Sequence, residues 1–182
     1  MTVNKFYAGI GSTKTPEHIQ EKMTEIAKLL EIKRYTLRSG GATGADTAFE
    51  NGVRHRKEIF YQYDYILSDA ECVPYAKSEL KFSSEMCDRF HPIGKKLRGR
   101  TRDLISRNTF QIFGIGDTQN VDFVICYTQD GSEGITSQLT GGTGQALRIA
   151  KAYHIPIYNL KNYIGISPNE FVEFVLKNVN NI

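Results

Sequence analysis

The chain has 182 residues, of which 40% are hydrophobic and 24% charged, a composition that favours one domain with a single buried core. No run of about 18 apolar residues occurs, so we expect no membrane-spanning helix and no membrane partner. The net charge of +3 is too small to indicate nucleic-acid binding, and three widely spaced cysteines argue against a disulfide framework or a zinc cluster. Since the first residues also lack the apolar stretch of a signal peptide, we expect a cytoplasmic protein without a bound metal.

Strand and helix patterns alternate along the first sixty residues. Residues 6–10 are typical of a short buried strand, and a helix with one apolar stripe is predicted to begin at Pro16. A second strand over 35–39 is followed by a helix from Ala45, and a third strand is predicted over 57–61. This order of elements is typical of a parallel sheet.

Residues 63–100 are the irregular part of the pattern, and we expect a helical insertion there. The alternation then returns, with a helix over 101–113, a strand over 121–127, a helix opened by 141–144, a strand over 155–160 and a helix capped by Ser167. Strands that alternate with helices across short turns predict an α/β Rossmann-like doubly wound, mainly parallel sheet. We expect it to form a single domain over residues 1–182.

Three of the strand-to-helix turns, at 9–12, 39–44 and 141–144, are rich in glycine and small hydroxyl residues. Turns of this kind share one edge of a parallel sheet, where glycine permits close approach of a ligand and helix N-termini attract anions. The alternative is that the glycines only allow tight turns and close packing. The turns match neither the dinucleotide fingerprint nor a P-loop, so we expect no NAD, no ATP hydrolysis and no other cofactor.

Several polar residues lie where they could contact a ligand. Asp46 falls in the first turn of a predicted helix with Glu50 one turn later, although Asp46 could simply complement the helix dipole. Asn108 interrupts an apolar helix face and needs a partner, either buried backbone or ligand. Its neighbour Arg107 could reach a phosphate or lie in solvent, and Asp130 follows the strand over 121–127.

A basic stretch precedes and enters the helix over 101–113. Within thirteen residues only Asp103 opposes six basic side chains, which are Lys95, Lys96, Arg98, Arg100, Arg102 and Arg107. Such a stretch could face phosphates, or it could be a solvated helix start.

Four ordered segments of the sequence resemble the DprA/LOG-type Rossmann superfamily, often called SLOG, and most of all its DprA-like proteins of bacteria and phages. The segments read YAGIGSTKTP, TLRSGGATGADTAFENG, VDFVICYTQDG and GGTGQALRIAKAYHIPIYNL. Members of the superfamily share a nucleotide pocket at the glycine turns. The resemblance therefore implies that the ligand-binding residues are Gly9, Gly11, Ser12, Ser39, Gly40, Gly41, Gly44, Asp46, Gly141, Gly142, Thr143 and Gly144. To these we add Arg107 and Asn108 from the polar residues above.

The superfamily is divided in function, and this sequence departs from its hydrolases. The phosphoribohydrolase signature Pro-Gly-Gly-x-Gly-Thr-x-x-Glu carries its catalytic glutamate where this chain has Arg148. An arginine stays charged near neutral pH and cannot act as a general base, although it could pair with a phosphate. We therefore expect no rapid release of free base from nucleoside monophosphates.

Three functions remain open, in order of preference. The first is binding of a small nucleotide or nucleotide-derived signal, as a sensor or sequestering protein. The second is a nucleotide N-glycosidase with a relocated acid, for which the catalytic candidates are Asp46, Glu50 and Asp130. The third is weak binding of single-stranded DNA by a DprA-like protein, and in each case we expect a homo-oligomer.

Overall fold

A computed structural model describes residues 4–62, 65–68, 71–116 and 119–180 of the chain. The strands are β1 (Lys5–Gly11), β2 (Tyr35–Ser39), β3 (Lys57–Phe60), β4 (Tyr65–Ser68), β5 (Glu71–Pro74), β6 (Phe123–Tyr127) and β7 (Ile157–Asn159). The helices are α1 (Glu17–Ile32), α2 (Ala45–Asn51), α3 (Lys77–Phe90), α4 (Gly99–Phe113), α5 (Gly144–Ala152) and α6 (Pro168–Val179). Short 3₁₀ helices occupy Gly94–Lys96, Gln138–Thr143 and Leu160–Tyr163.

The strands of the described residues form one sheet in the order β5-β4-β3-β2-β1-β6-β7. Five of them, from β3 to β7 across the sheet, run parallel, whereas β4 and β5 continue the β3 edge in antiparallel pairing. β6 is buried along its whole length, as expected of a parallel strand that is covered on both faces. The Rossmann-like, mainly parallel α/β fold predicted from the sequence is thereby confirmed.

Helices cover both faces of the sheet because the side chains of the central strands alternate between two cores. On one face, α1, α2 and α6 pack against strand residues that include Tyr7 and Phe123. On the other face, Ala8, Ile10 and Val124 pack with residues of α3, α4 and α5. In α6 the buried residues are Phe171, Val172 and Val175, whereas Phe174 is 41% exposed beside the rings of Tyr158 and Tyr163.

The region over 63–100 differs from the expected helical insertion. It contains the antiparallel strands β4 and β5, whose backbone pairing extends the sheet beyond β3, and continues with the helix α3. Strands this short have too few residues for a periodic pattern in the sequence. Residues 63, 64, 69 and 70 of the insertion, like residues 1–3 at the start of the chain, lie outside the described residues.

None of the helices in the described part of the chain combines the length and the hydropathy needed to cross a lipid bilayer.

Candidate functional site

A cleft of about 370 Å³ opens at the carboxyl edge of the parallel strands. Its walls are the turn after β1, residues 104–111 of α4 and the segment over 138–143 that precedes α5. The predicted site residues that line it are Gly11, Ser12, Asp46, Arg107, Asn108, Gly141, Gly142 and Thr143. The fold thus brings together residues from the first and third glycine turns, although more than 120 residues separate them in sequence.

The turn after β1 is held tightly against the end of β6. A Cβ atom on Gly11 would lie 2.7 Å from the carbonyl oxygen of Tyr127, so a larger residue would push β1 and β6 apart. The next residue, Ser12, donates its backbone N–H to the same carbonyl oxygen at 2.9 Å. This packing fixes the turn and leaves the exposed Lys14 at the cleft wall.

The turn after β2 packs closely against other parts of the protein, and of its residues Ala42 lines the cleft. Ser39 is buried and donates its hydroxyl to the carbonyl oxygen of Gly9 at 2.6 Å, which ties β2 to β1. A Cβ atom on Gly40 would lie 1.3 Å from Arg107 Nη1, and one on Gly41 would lie 2.7 Å from the Tyr61 ring.

Two other predicted glycines have the same packing role. A Cβ on Gly44 would lie 2.6 Å from the carbonyl oxygen of Ser12, and one on Gly9 would lie 2.7 Å from both Leu37 and Phe49. Together with Ser39, Gly40, Gly41 and Gly144, these residues are not part of the cleft wall. The close approach at these glycines agrees with the alternative in which glycine allows tight packing, and ligand contact at these residues stays a prediction.

The third glycine turn faces open space. A Cβ on Gly141 would have no atom within 4 Å, and one on Gly142 would meet only Ile105 Cδ1 at 3.9 Å. Asn108 donates its side-chain N–H to the carbonyl oxygen of Gly142 at 2.8 Å, so the partner that it was expected to need is the backbone of this turn. The turn leads into α5 at Gly144, and the partial positive charge of that helix N-terminus faces the cleft side of the turn.

A buried carboxyl group and a buried guanidinium group form the floor of the cleft. Asp46 is 4% exposed and Arg107 is 6% exposed, and Arg107 Nη1 lies 3.9 Å from Asp46 Oδ2. The Asp46 carboxylate also accepts the backbone N–H of Ala42 at 3.3 Å. Burial raises the pKa of Asp46 to about 6, against the opposing effects of Arg107 and of the backbone N–H groups. Burial likewise lowers the pKa of Arg107, since the contact between the two is too long to offset desolvation.

Arg107 is therefore not a solvated surface arginine. The amide of Gln111 is oriented so that both its oxygen and its nitrogen can form hydrogen bonds. In this orientation the Gln111 side-chain oxygen accepts hydrogen bonds from Arg107 Nη1 at 3.0 Å and from the Gly40 N–H at 3.2 Å. Arg107 Nε is buried without a hydrogen-bond partner among the described residues. The guanidinium thus keeps unused donor capacity next to the cleft.

The other two candidate acids lie away from the cleft wall. Glu50 pairs with Lys57 at 3.0 Å across α2 and β3. The Asp130 carboxylate accepts the hydroxyls of Thr128 at 2.7 Å, Ser137 at 2.6 Å and Thr140, and these hydrogen bonds hold its pKa well below the usual range. Asp130 consequently organises the loop between β6 and α5, and Asp46 is the one candidate acid of the three that lines the cleft.

Arg148 does not take the place of the hydrolase glutamate in the cleft. Its Nε donates to the carbonyl oxygen of Phe90 at 2.6 Å and its Nη1 to Thr136 Oγ1 at 2.9 Å. These contacts join α5 to the end of α3 and to the loop before the third turn. The suggestion that Arg148 pairs with a ligand phosphate is wrong for this geometry, because the residue is not part of the cleft wall.

The basic stretch is not one continuous exposed patch. Arg102 pairs with Asp88 at 2.8 Å and hydrogen-bonds Ser84, while Arg107 lies in the floor of the cleft. The remaining basic residues are exposed, and these are Lys95, Lys96, Arg98 and Arg100. Within the described ranges, no group of three or more His, Cys, Asp or Glu side chains is arranged to hold a metal ion.

Several cleft residues were not predicted from the sequence. Gln111 lies one turn after Arg107 on α4, and this i,i+4 spacing is the signal that could have identified it. Leu104 lies on the helix face that Asn108 interrupts, where it lines the cleft and is 36% exposed. Lys14 lies in a turn and Leu139 in a short 3₁₀ helix, and neither segment is long enough for periodicity to mark the side that faces a ligand.

No protein-family model matches the chain, and no curated protein matches its sequence. A solved structure of DNA processing protein A from Helicobacter pylori, described for its single-stranded DNA binding mode, is similar over 96% of this chain and 81% of that chain. The TM-score is 0.52 and the sequence identity 16%. At this identity the likeness shows a shared DprA-like fold, in agreement with the family resemblance of the four sequence segments.

Proposed function

We propose that the cleft binds a small nucleotide or nucleotide-derived signal without turning it over. The observation that carries the proposal is the convergence of the Gly11–Lys14 turn, the polar face of α4 and the open turn at Gly141–Thr143 around one cleft. Its volume of about 370 Å³ falls within the range of small-ligand sites.

The charges at the cleft suit an anionic ligand. Lys14 lies on the wall, and Arg107 supplies a guanidinium with an unpartnered Nε in the floor. The N-terminus of α5 adds partial positive charge next to Gly142 and Thr143, where the open backbone gives a phosphate room to approach. Asp46 is the opposing charge, and its raised pKa reduces that opposition at mildly acidic pH.

Binding without turnover agrees with the placement of the candidate acids. Hydrolysis of an N-glycosidic bond needs an acid group beside the ribose. Asp46 is the candidate that could reach a ligand, but its carboxylate already accepts backbone hydrogen bonds. We expect chromatography to detect no free base after incubation with the four common nucleoside monophosphates. Free base formed by the wild type and lost in Asp46→Asn would establish the N-glycosidase alternative.

Substitution of Gly142 tests the binding proposal. In Gly142→Val the new side chain enters open space and blocks close approach of a phosphate, so calorimetric titration should show at least a tenfold loss of nucleotide affinity in a folded protein. Gly165→Val is the matched control, because Gly165 also has open space around its Cβ position and lies outside the cleft wall. Unchanged affinity in folded Gly142→Val would contradict the proposal.

Binding of single-stranded DNA is the second candidate, and the DprA-like fold favours it. The exposed basic residues of the stretch are Lys95, Lys96, Arg98 and Arg100, whereas Arg102 pairs with Asp88 and Arg107 is buried in the cleft floor. We therefore expect DNA affinity to be weak and to fall steeply with salt. Tight binding of an oligonucleotide that persists at high salt would favour DNA binding over small-nucleotide binding as the function.

On the nucleotide-binding proposal the chain is a sensor or sequestering member of the DprA/LOG-type superfamily that its sequence segments resemble. We also propose that it works in the cytoplasm as a homo-oligomer. Light scattering of the purified protein would test the oligomeric state, and a monomer at micromolar concentration would contradict the proposed homo-oligomer.

A further inference from the structure

The face of α4 that lines the cleft has an unusual order of polarity. Its residues Leu104, Arg107, Asn108 and Gln111 follow at helical spacing, and their exposed fractions are 36%, 6%, 6% and 3%. The apolar residue is therefore at the mouth of the cleft, and the polar residues are buried at its floor. Buried polar side chains need partners, and an exposed apolar side chain at a cleft mouth gains by being covered.

A second leucine lies at the same mouth on a different element. Leu139 belongs to the 3₁₀ helix over Gln138–Thr143, lines the cleft and is 61% exposed. The two elements are joined by the hydrogen bond from Asn108 to the carbonyl oxygen of Gly142. Leu104 lies one turn outward from Asn108, and Leu139 lies three residues before Gly142.

Hydrogen bonds on both sides of Leu139 fix its position. Its backbone N–H donates to Ser137 Oγ at 3.1 Å, and Ser137 in turn donates its hydroxyl to Asp130 at 2.6 Å. Thr140, on the other side of Leu139, also donates to Asp130. An apolar side chain is thus held at the cleft mouth by the hydrogen bonds around Asp130.

We infer that Leu104 and Leu139 form the base subsite of the cleft, in which a nucleobase packs its apolar surface while the sugar-phosphate part extends to the polar floor. This inference rests on the proposed nucleotide function and adds how the ligand is oriented. The seven helical steps from Leu104 to Gln111 span about 10 Å along the helix axis, so a ligand that reaches from the mouth to the floor is longer than a phosphate or a sugar alone.

The chemistry of the subsite also sets its selectivity. Two leucine side chains offer van der Waals contact but no hydrogen bonds to the edge of a base. Affinity should therefore follow the apolar area of the base, with purine nucleotides above pyrimidine nucleotides and both above ribose 5-phosphate.

Calorimetric titration with ribose 5-phosphate and the four common nucleoside 5′-monophosphates tests the inference. We expect the double variant Leu104→Ala/Leu139→Ala to lose about tenfold in purine nucleotide affinity and to keep its ribose 5-phosphate affinity within about twofold. Leu80→Ala is the matched control, since Leu80 is 44% exposed and lies outside the cleft wall.

The outcomes distinguish a failure of the base subsite from a failure of the proposed nucleotide-binding function. Equal affinity for ribose 5-phosphate and the nucleotides, or an unchanged nucleotide affinity in the double variant, would overturn the base subsite and leave the cleft as a sugar-phosphate site. No binding of any of the five compounds to the wild-type protein would overturn the proposed function itself.

Discussion

The second and third glycine turns look alike in sequence but have opposite surroundings. At Gly40 a Cβ atom would lie 1.3 Å from Arg107 Nη1, whereas at Gly142 the nearest atom would be 3.9 Å away. The second turn needs glycine because another part of the protein occupies the space. The third turn keeps that space open, at the wall of the cleft. A glycine-rich turn after a strand therefore indicates close approach, but only the fold determines whether a ligand or the protein approaches.

The largest expected effect comes from making the same substitution in both turns. In Gly40→Ala the new methyl group would displace the buried Arg107 guanidinium from Gln111 and Asp46, and we expect the free energy of unfolding to fall by about 3 kcal/mol. In Gly142→Ala the change should stay within about 0.5 kcal/mol, because the methyl group meets nothing closer than ordinary contact.

Urea unfolding of the two variants measures this difference. Equal losses of stability in Gly40→Ala and Gly142→Ala would mean that the two turns do not differ in packing. A Gly40→Ala protein as stable as the wild type would show that Arg107 can move away from Gly40 at little cost.

The same contrast explains how far the sequence could predict the molecule. The strands over residues 6–10 and 121–127 were predictable because buried parallel strands are nearly continuous apolar runs, and the turns after them follow from where the runs end. The neighbour of Gly40 was not predictable. It is Arg107, from a helix almost seventy residues further along the chain, and no local pattern encodes that contact.

Asp130 shows where prediction of the candidate site from the sequence fails. Its place after a strand at the carboxyl edge made it a reasonable catalytic acid, and the structure turns its carboxylate toward the hydroxyls of its own loop. Five Ser and Thr residues within ten positions of Asp130 were the available signal for a local network. Asn108 was the opposite case, since one polar residue on an apolar helix face correctly predicted a need for a partner.

The second prediction concerns the loop that holds the third turn open. Asp130→Asn weakens the hydrogen bonds from Ser137 and Thr140, so we expect the free energy of unfolding to fall. The expected fall is only about 1 kcal/mol, because the carboxylate is partly exposed to solvent. Nucleotide affinity should fall as well, since Leu139 and Gly142 follow directly from these anchors. Glu50→Gln is the control, because the Glu50 ion pair with Lys57 lies outside the cleft wall and its removal should leave affinity unchanged.

The pH dependence of this loss has a definite sign. Hydrogen bonding holds the pKa of Asp130 below its usual range in the folded protein, so the stabilisation is present above the ordinary aspartate pKa and is lost as the pH falls below it. The stability difference between the wild type and Asp130→Asn should therefore be largest at neutral pH and shrink in acid. A difference that is constant from pH 7 to pH 3 would show that the charge of Asp130 is not involved.

The smallest expected effect comes from Asp46, which lies between the packed second turn and the open cleft. Burial raises the pKa of Asp46 to about 6, so its carboxyl group is neutral below that pH and negatively charged above it. The charge that appears as the pH rises opposes an anion in the cleft and offsets Arg107. We therefore expect the affinity for a nucleotide phosphodiester to fall about threefold between pH 5 and pH 8. A phosphodiester is the right probe, because a phosphate monoester would itself gain charge near pH 6. Asp46→Asn removes the titrating group, and its affinity should stay level over the same range in calorimetric titrations. If Asp46→Asn kept the pH dependence of the wild type, another group would have to titrate in the cleft, and the assignment of the floor charge to Asp46 would be wrong.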